Sequence, residues 1–334
     1  MSRKTRVAIN GFGRIGRITL RKLLEKENVE VVAINDLTDN ATLAHLFKYD
    51  SIHDKFQGTV IADDSGITVN GIKIPVSAEK NPEHLPWKIH DVDIVIESTG
   101  RFTHSEDAAR HLTAGARRVI ISAPAKDQIK TVVLGVNDHL LSKDDLIISN
   151  ASCTTNNVAP MIRILEENWG IENAYITTVH AYTGDQNLHD APHKDLRRAR
   201  AAACSIIPTT PGAAKAVTEV FPHLKGRCGG AGIRVPVPDG SLTDITCTLK
   251  KDASVEEINL RFKEAAQGSL KNILEYTEDP VVSIDIVGNP HSCIFDAQLT
   301  SVLGRMAKVV GWYDNEMGYS SRLADLVLKM RSLM

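Results

Sequence analysis

The sequence predicts an α/β protein of two domains, a parallel-sheet domain followed by an α+β domain with a mostly antiparallel sheet. Through the first half, short β-branched runs alternate with helix-period segments, the pattern of βαβ units. Directly after the first run stands Gly11-Phe12-Gly13-Arg14-Ile15-Gly16, a Gly-x-Gly-x-x-Gly loop that opens a helix. Beyond Cys153 the strands lengthen, which places the domain boundary there.

The β-branched runs of the first domain predict strands at 7–10, 29–35, 92–97, 118–122, 132–135 and 146–148. Helical periodicity covers 14–26, 40–49 and 105–114. Between Gly58 and Ser77 the pattern differs, and Thr68-Val69-Asn70-Gly71-Ile72-Lys73-Ile74 predicts a hairpin on an Asn-Gly turn. A helix is expected from Ser152 as N-cap through Val158, Ile162 and Leu165 to a stop at Gly170. Strands follow at 174–180, 232–237, 242–250, 281–287 and 306–313, and Ser254 with Glu257 forms a capping box for a helix towards Gln267. Between His180 and Ile206 lies a long, polar, basic stretch of the kind that is functional or disordered. The last segment, from Gly318, reads as an amphipathic helix packing back onto the first domain. The domains are therefore 1–152 completed by 316–334, and 153–315.

With 334 residues, 43% hydrophobic and 24% charged, the chain has the length for a sizeable core and an ordinary soluble composition. A formal net charge of −2 offers no global attraction to nucleic acid or to an acidic membrane. No apolar run approaches a membrane span, and residues 1–6 lead straight into a strand without a signal-type region. The five cysteines are odd in number and lack a Cys-x-x-Cys pair, which predicts reduced thiols and a cytoplasmic protein. His189 and His193 stand four apart, but Pro192 opposes a helix there and no third ligand is evident, so no metal is assigned.

The glycines of Gly11–Gly16 permit a tight turn, close approach of a pyrophosphate and close helix–sheet packing, the design of a Rossmann dinucleotide site. The helix N-terminus adds partial positive charge for the phosphates. The second strand ends at Asn35-Asp36, where an adenosine ribose needs an acceptor. A carboxylate there accepts from a free 2′-hydroxyl and repels a 2′-phosphate, and no cation follows in Leu37-Thr38-Asp39, so NAD is expected over NADP. Ser98-Thr99-Gly100 follows an apolar run and falls at a strand's carboxyl end, where open parallel sheets bind ligands; an ordinary strand-to-helix turn reads the same way.

Ser152-Cys153-Thr154-Thr155-Asn156 places a cysteine at the mouth of the helix, where amides and dipole favour a thiolate. A buried structural cysteine is the alternative. A nucleophilic cysteine needs a base nearby, and His180 is the candidate because it ends a strand and enters the long loop.

Taken together, the Cys153 segment, His180 with Thr183, residues 226–236 around Arg234, and Trp312-Tyr313-Asp314-Asn315-Glu316 resemble the phosphorylating glyceraldehyde-3-phosphate dehydrogenases, in that family's order and spacing from Val7 to the final helix. The resemblance implies oxidation of glyceraldehyde 3-phosphate to 1,3-bisphosphoglycerate with reduction of NAD, in glycolysis or gluconeogenesis, by a homotetramer. Cys153 would be the nucleophile and His180 the acid–base. Thr183, Asp185 and Arg234 would hold the substrate phosphate, and Ser152, Thr154, Arg198, Thr210 and Gly212 the attacking phosphate. Arg14 and Ile15 would meet the pyrophosphate through backbone, Ser122 would lie near the nicotinamide, and Asn315 would hold its carboxamide.

Two positions depart from the family pattern. Asn157 stands where a second cysteine is usual, and Pro211 where a hydroxyl residue touches the attacking phosphate. Proline offers neither hydroxyl nor amide donor, so weakened phosphate binding is expected, and Pro211→Thr should lower the phosphate KM. The nearest rival reading is an erythrose-4-phosphate dehydrogenase. Rivals of another class are a cysteine hydrolase and a non-catalytic redox or binding module.

Overall fold

A computed structural model describes residues 3–209 and 212–334, without the side chains of 213–215. The chain divides into two compact units, Met1–Val132 with Leu140–Ala151 and Ser320–Met334, and Val133–His139 with Ser152–Tyr319.

Among the described residues the first unit carries a nine-stranded sheet. Its strands are β1 (Thr5–Asn10), β2 (Val29–Asn35), β3 (Val60–Asp63), β4 (Gly66–Val69), β5 (Ile72–Ser77), β6 (Ile94–Glu97), β7 (Arg118–Ile121), β8 (Lys130–Thr131) and β9 (Ile147–Ser149). They lie in the order β3-β4-β5-β2-β1-β6-β7-β9-β8, parallel from β5 onward. Helices α1 (Arg14–Leu24), α2 (Asn40–Lys48) and α3 (Ser105–Thr113) connect strands of this sheet. Val7, Ile9, Ile34, Ile94 and Ile96 are buried, the near-continuous apolar runs of parallel strands covered on both faces. From β1 the chain moves outward to β2 on one side and later returns to β6 on the other, which opens a ligand crevice at the carboxyl ends.

Asn70 and Gly71 take φ of 51° and 81°, as a two-residue hairpin turn between β4 and β5 demands. The hairpin signal concealed one thing. β5 also pairs parallel with β2, Ile34 opposite Val76, so its end joins the same carboxyl edge. Residues 320–334 group with this unit, and Arg118 donates to the carbonyls of Met330 (3.2 Å) and Leu333 (3.0 Å), a cation at a helix C-terminus.

The second unit holds β10 (Ile171–Ala181), β11 (Ile207–Thr209), β12 (Cys228–Val235), β13 (Ser241–Leu249), β14 (Leu274–Thr277), β15 (Cys293–Asp296), β16 (Ser301–Leu303) and β17 (Met306–Tyr313). The sheet runs β11-β12-β10-β13-β17-β15-β14 with β16 on β17. It is mixed and mainly antiparallel, with β10–β12 and β14–β15 parallel. Helices α4 (Cys153–Asn168), α5 (Gly212–Val220) and α6 (Val255–Gln267) belong to it, and α7 (Met317–Arg331) begins in it. Met161, Ile162 and Leu165 of α4 and Phe262 of α6 pack with Ile176, Ile245, Phe295 and Val309 of the sheet. The capping box at Ser254 is formed in full.

Two strands expected from the sequence are absent. At 132–135 the amide of Val133 bonds to Asn137 Oδ1 (2.8 Å) and that of Gly135 to Asp138 Oδ1 (2.9 Å), so side chains claim the amides a strand would need. Within 281–287 the alternating pattern is instead a 3₁₀ turn, Ser283–Ile286, with Asp285 accepting from the Val282 amide (2.8 Å).

Candidate active site

In the first unit a cleft of about 440 Å³ opens at the carboxyl edge of the sheet. Gly11, Gly13, Asn35, Asp36, Leu37, Ser98 and Thr99 line it. Gly11 has φ of 91°, and a Cβ there would meet the Thr99 amide nitrogen at 2.7 Å. A Cβ on Gly16 would collide with the Gly11 carbonyl, whereas one on Gly13 would meet nothing. The loop is thus pressed against its own fold at its first and last glycines and open at the middle one, where a pyrophosphate needs room. Gly13 also leaves α1 without a side-chain cap, and no acid occupies the first turn, so these amides remain suited to an anion.

Asp36 accepts from the amides of Phe12 (2.8 Å) and Thr38 (3.0 Å), which ties the acid at the end of β2 to the glycine loop. Phe12 is buried against Phe47. The Arg14 side chain pairs with Asp50 at 2.6 Å. Burial raises the Asp50 carboxyl, but the amides of His53 and Ile52 and then Arg14 outweigh it and bring it to about 2. Ile15, Gly16, Gly100 and Ser122 do not line the cleft, while Asn10, Glu79, Lys80, Pro82, Arg101 and Phe102 do. Glu79 and Lys80 escaped sequence reading because their position follows from the parallel pairing of β5 with β2.

The second unit gathers the thiol site. Ala151 takes φ of 56° on the way into α4, and Ser152 caps the helix by accepting from the Thr155 amide at 3.0 Å. Cys153 is thereby the first helical residue, and its Sγ lies 3.4 Å from Nε2 of His180. On the parallel neighbours β10 and β12, His180 stands in register with Arg234. One Nη of Arg234 sits 2.6 Å from His180 Nδ1 and donates to the Ala181 carbonyl at 2.9 Å; that carbonyl also lies 2.7 Å from Nδ1. The rings of Tyr313 and His180 meet nearly perpendicular, at 80°, and the Tyr313 hydroxyl lies 2.9 Å from Thr154 Oγ1.

These contacts define two tautomers. When Nδ1 carries hydrogen it donates to Ala181, and Nε2 faces the sulfur as an acceptor. When Nδ1 accepts from Arg234, Nε2 carries the hydrogen instead. Burial, and next the charge of Arg234, drives the imidazole down to about 3. Burial pushes the Cys153 thiol up, against the lowering charge of Arg234 and the Thr154 hydrogen bonds. The helix-mouth amide acts as the sequence suggested, but desolvation wins. Burial thus weighs towards a neutral thiol beside a neutral imidazole, with Arg234 and the Thr154 hydrogen bonds weighing towards the thiolate.

Arg198 and Arg234 both add to the lowering at His180, so two guanidiniums converge on the pair. Asp185 gives its carboxylate to Arg198 (2.6 Å) and approaches His193 (3.6 Å). It stands as partner to a guanidinium and has no hydrogen to offer a phosphate. Thr183 is half-buried at the head of the same loop, and Gly212 is exposed at the start of α5. Thr210 and Pro211 lie outside the described residues. The Asn315 carbonyl accepts from Ser241 Oγ (2.6 Å), whose oxygen accepts from the Ala181 amide (3.1 Å). Ser241 and Tyr313 were missed; a tyrosine closing an apolar strand beside Asn315 was the available signal.

A glycine-loop cleft in one unit, and in the other a cysteine–histidine pair beside two guanidiniums, suit a nicotinamide-dependent oxidoreductase. Family models agree: the NAD binding domain of glyceraldehyde 3-phosphate dehydrogenase matches residues 5–105, and its C-terminal domain residues 152–315. Glyceraldehyde-3-phosphate dehydrogenase of Mycobacterium avium is 56% identical over 96% of this chain and 97% of its own length. The proteins of the same name from Geobacillus stearothermophilus (55%, covering 98% of each chain) and Streptomyces coelicolor (56%, covering 97% of each) are similarly near. The chain belongs to the glyceraldehyde-3-phosphate dehydrogenase family, and its activity is NAD-dependent oxidation of glyceraldehyde 3-phosphate.

Proposed function

We propose that this oxidation runs through Cys153 as nucleophile and His180 as acid–base, and the observation that carries the reading is the 3.4 Å approach of Sγ to Nε2. Nε2 takes the thiol proton as sulfur bonds to the aldehyde carbon, then delivers it to the oxygen, giving a thiohemiacetal. NAD, when bound, supplies the hydride acceptor. Nε2 takes the hydroxyl proton as the C–H bond is lost, leaving a thioester on Cys153. An oxygen of inorganic phosphate attacks that carbonyl, the C–S bond breaks, Nε2 returns its proton to the departing sulfur, and the acyl phosphate leaves with the thiol restored.

An imidazole held near 3 is a weak base. The substrate supplies the remedy in this reading. Its phosphate, placed at Arg234 and Thr183, offsets the guanidinium charge and returns basicity to His180 only when the site is filled. Arg198, with Ser152, Thr154 and Gly212, would receive the attacking phosphate, Asp185 orienting Arg198. Asn315, its carbonyl engaged by Ser241, would keep its amide hydrogens for the nicotinamide carboxamide. Gly11, Gly13, Asp36, Ser98 and Thr99 would contact the dinucleotide.

The reading includes a homotetramer, supported by exposed Tyr175, Ile206, Leu303 and Met306 on the second unit. It includes a cytoplasmic setting, supported by five free cysteines; among the described residues no helix is long and apolar enough to cross a membrane. Steady-state assays varying aldehyde, NAD and phosphate independently test it. Phosphate-dependent NADH formation should vanish in Cys153→Ala and fall about 10²- to 10⁴-fold in kcat in His180→Asn. A higher kcat/KM for erythrose 4-phosphate would overturn the substrate assignment.

A further inference from the structure

The cofactor cleft is backed by a row of buried polar side chains that the chemistry above does not use. Ser77, Asn35, Asn10 and Glu97 end four neighbouring strands, with Asn10 in register with both Asn35 and Glu97 and Asn35 with Ser77. Glu97 Oε2 accepts from Asn10 Nδ2 (2.5 Å) and from His111 Nε2 (2.9 Å). Its Oε1 accepts from the Thr99 amide (2.9 Å) and from the Thr99 hydroxyl. Trp87 Nε1 donates to His111 Nδ1 (2.9 Å), and Asn35 Nδ2 to Asn10 Oδ1 (2.7 Å). Asn35 Oδ1 accepts from the Glu79 amide (2.8 Å) and Ser77 Oγ (3.0 Å). Trp87, His111, Glu97 and Asn10 are at most 1% exposed.

Both ends of this chain are groups that only donate, the Trp87 indole and the Glu79 amide. Every link therefore has one direction, and all of them converge on Glu97. The indole hydrogen fills His111 Nδ1, so the histidine must present a hydrogen at Nε2. The Glu79 amide fills Asn35 Oδ1, so Asn35 and then Asn10 must present their amide hydrogens. Asn10, Asn35, Glu79 and Thr99 line the cleft; Trp87, His111 and Glu97 do not.

We propose that Trp87 and His111 are positioning residues for the dinucleotide, acting through Glu97 to hold Thr99, Asn10, Asn35 and the Glu79 segment at the spacing the cofactor requires. This rests on the cleft being the NAD site. A merely structural network would lower stability without altering the affinity of the molecules that remain folded. A positioning network sets that affinity and depends on where hydrogens point.

The test compares wild type with Trp87→Phe, His111→Gln, His111→Leu and Glu97→Gln by calorimetric NAD titration, thermal melting and steady-state kinetics. Glu97→Gln keeps the shape but turns a donor against donors. In His111→Leu and Glu97→Gln the NAD Kd and KM should rise about 10-fold or more. kcat at saturating NAD and alkylation of Cys153 without NAD should hold. Trp87→Phe, which removes one N–H and keeps an aromatic ring, should weaken NAD less and provides a folded probe should the others not fold. His111→Gln, able both to donate to Glu97 and to accept from Trp87, should recover most of the loss. Wild-type affinity in folded Trp87→Phe and Glu97→Gln, or His111→Gln no better than His111→Leu, would overturn the proposal. Failure of the wild type itself to bind NAD would instead remove the cofactor assignment on which it rests.

Discussion

Sγ of Cys153 lies 3.4 Å from Nε2 of His180, and burial weighs against charge on both. Burial raises the thiol and lowers the imidazole, which opposes the ion pair familiar from activated cysteines. Arg234 is the strongest influence pulling the thiol back down.

Alkylation of Cys153 by iodoacetamide in the ligand-free protein should therefore be slow at neutral pH and rise on the alkaline side. Arg234→Leu should move that rise to still higher pH, since the lowering charge is gone. The same variant should raise the KM for glyceraldehyde 3-phosphate by about 10- to 100-fold, as a charge-assisted phosphate contact is lost. An alkylation midpoint well below the ordinary thiol value of 9.0 in wild type would contradict this account.

His180 also makes stability depend on acidity. In the unfolded chain its imidazole takes a proton near 6.5, in the folded protein only near 3. Stability contributed above 6.5 is therefore lost as pH falls through that window. Between pH 7 and 5 the wild type should lose up to about 2 kcal/mol more than His180→Asn in denaturant titrations. Parallel losses in both proteins would show that the imidazole is not held neutral.

Asp239 works in the opposite sense. Buried and hydrogen-bonded to Asp314, with Glu316 adding negative charge, its carboxyl is pushed up to about 9. Asp314 accepts from the amides of Gly288, Glu316 and Met317. Folding thus takes up a proton at Asp239, and stability falls as pH rises from the ordinary carboxyl value of 3.8 towards 9. Asp239→Asn should flatten that decline and gain about 1–3 kcal/mol at pH 8. A variant that follows the wild-type pH curve would refute the raised Asp239 carboxyl.

What was legible in the sequence was local. The glycine loop, the Ser254 box, the Ser152 cap and the Asn70-Gly71 turn each write their geometry within a few residues, because backbone φ and orphan amides are satisfied nearby. The approach of His180 to Arg234 comes from the register of β10 and β12, which a sequence separation of 54 does not encode in any spacing. The family resemblance gave each residue a role in one site, His180 as acid–base and Arg234 at the substrate phosphate, but not their contact. The strands expected at 132–135 and 281–287 failed because an asparagine and two aspartates captured backbone amides, a competition that apolar alternation does not register. Missing from the reading altogether was the Trp87–His111–Glu97 chain, since its members are set by tertiary contact between a loop, a helix and a strand.

Asp36 holds two jobs at once, and a pair of substitutions separates them. Its carboxylate accepts from the Phe12 amide at 2.8 Å and thereby shapes the glycine loop, while its charge disfavours a 2′-phosphate. Lys80 and Arg101 line the same cleft, so a 2′-phosphate would find cations once the acid is gone. Asp36→Asn keeps an oxygen for the Phe12 amide and removes the charge; Asp36→Ala removes both. In Asp36→Asn the loop survives, so the NAD KM should rise about 10-fold while NADP turnover appears. In Asp36→Ala the amide is left unpaired and the NAD KM should rise further, about 100-fold, with NADP gaining no more than in the asparagine variant. Equal NAD losses in the two would mean that charge alone matters and that the bond to Phe12 is incidental. Undetectable NADP turnover in both would mean that Lys80 and Arg101 cannot reach the phosphate, and selectivity would then rest on the shape of the cleft.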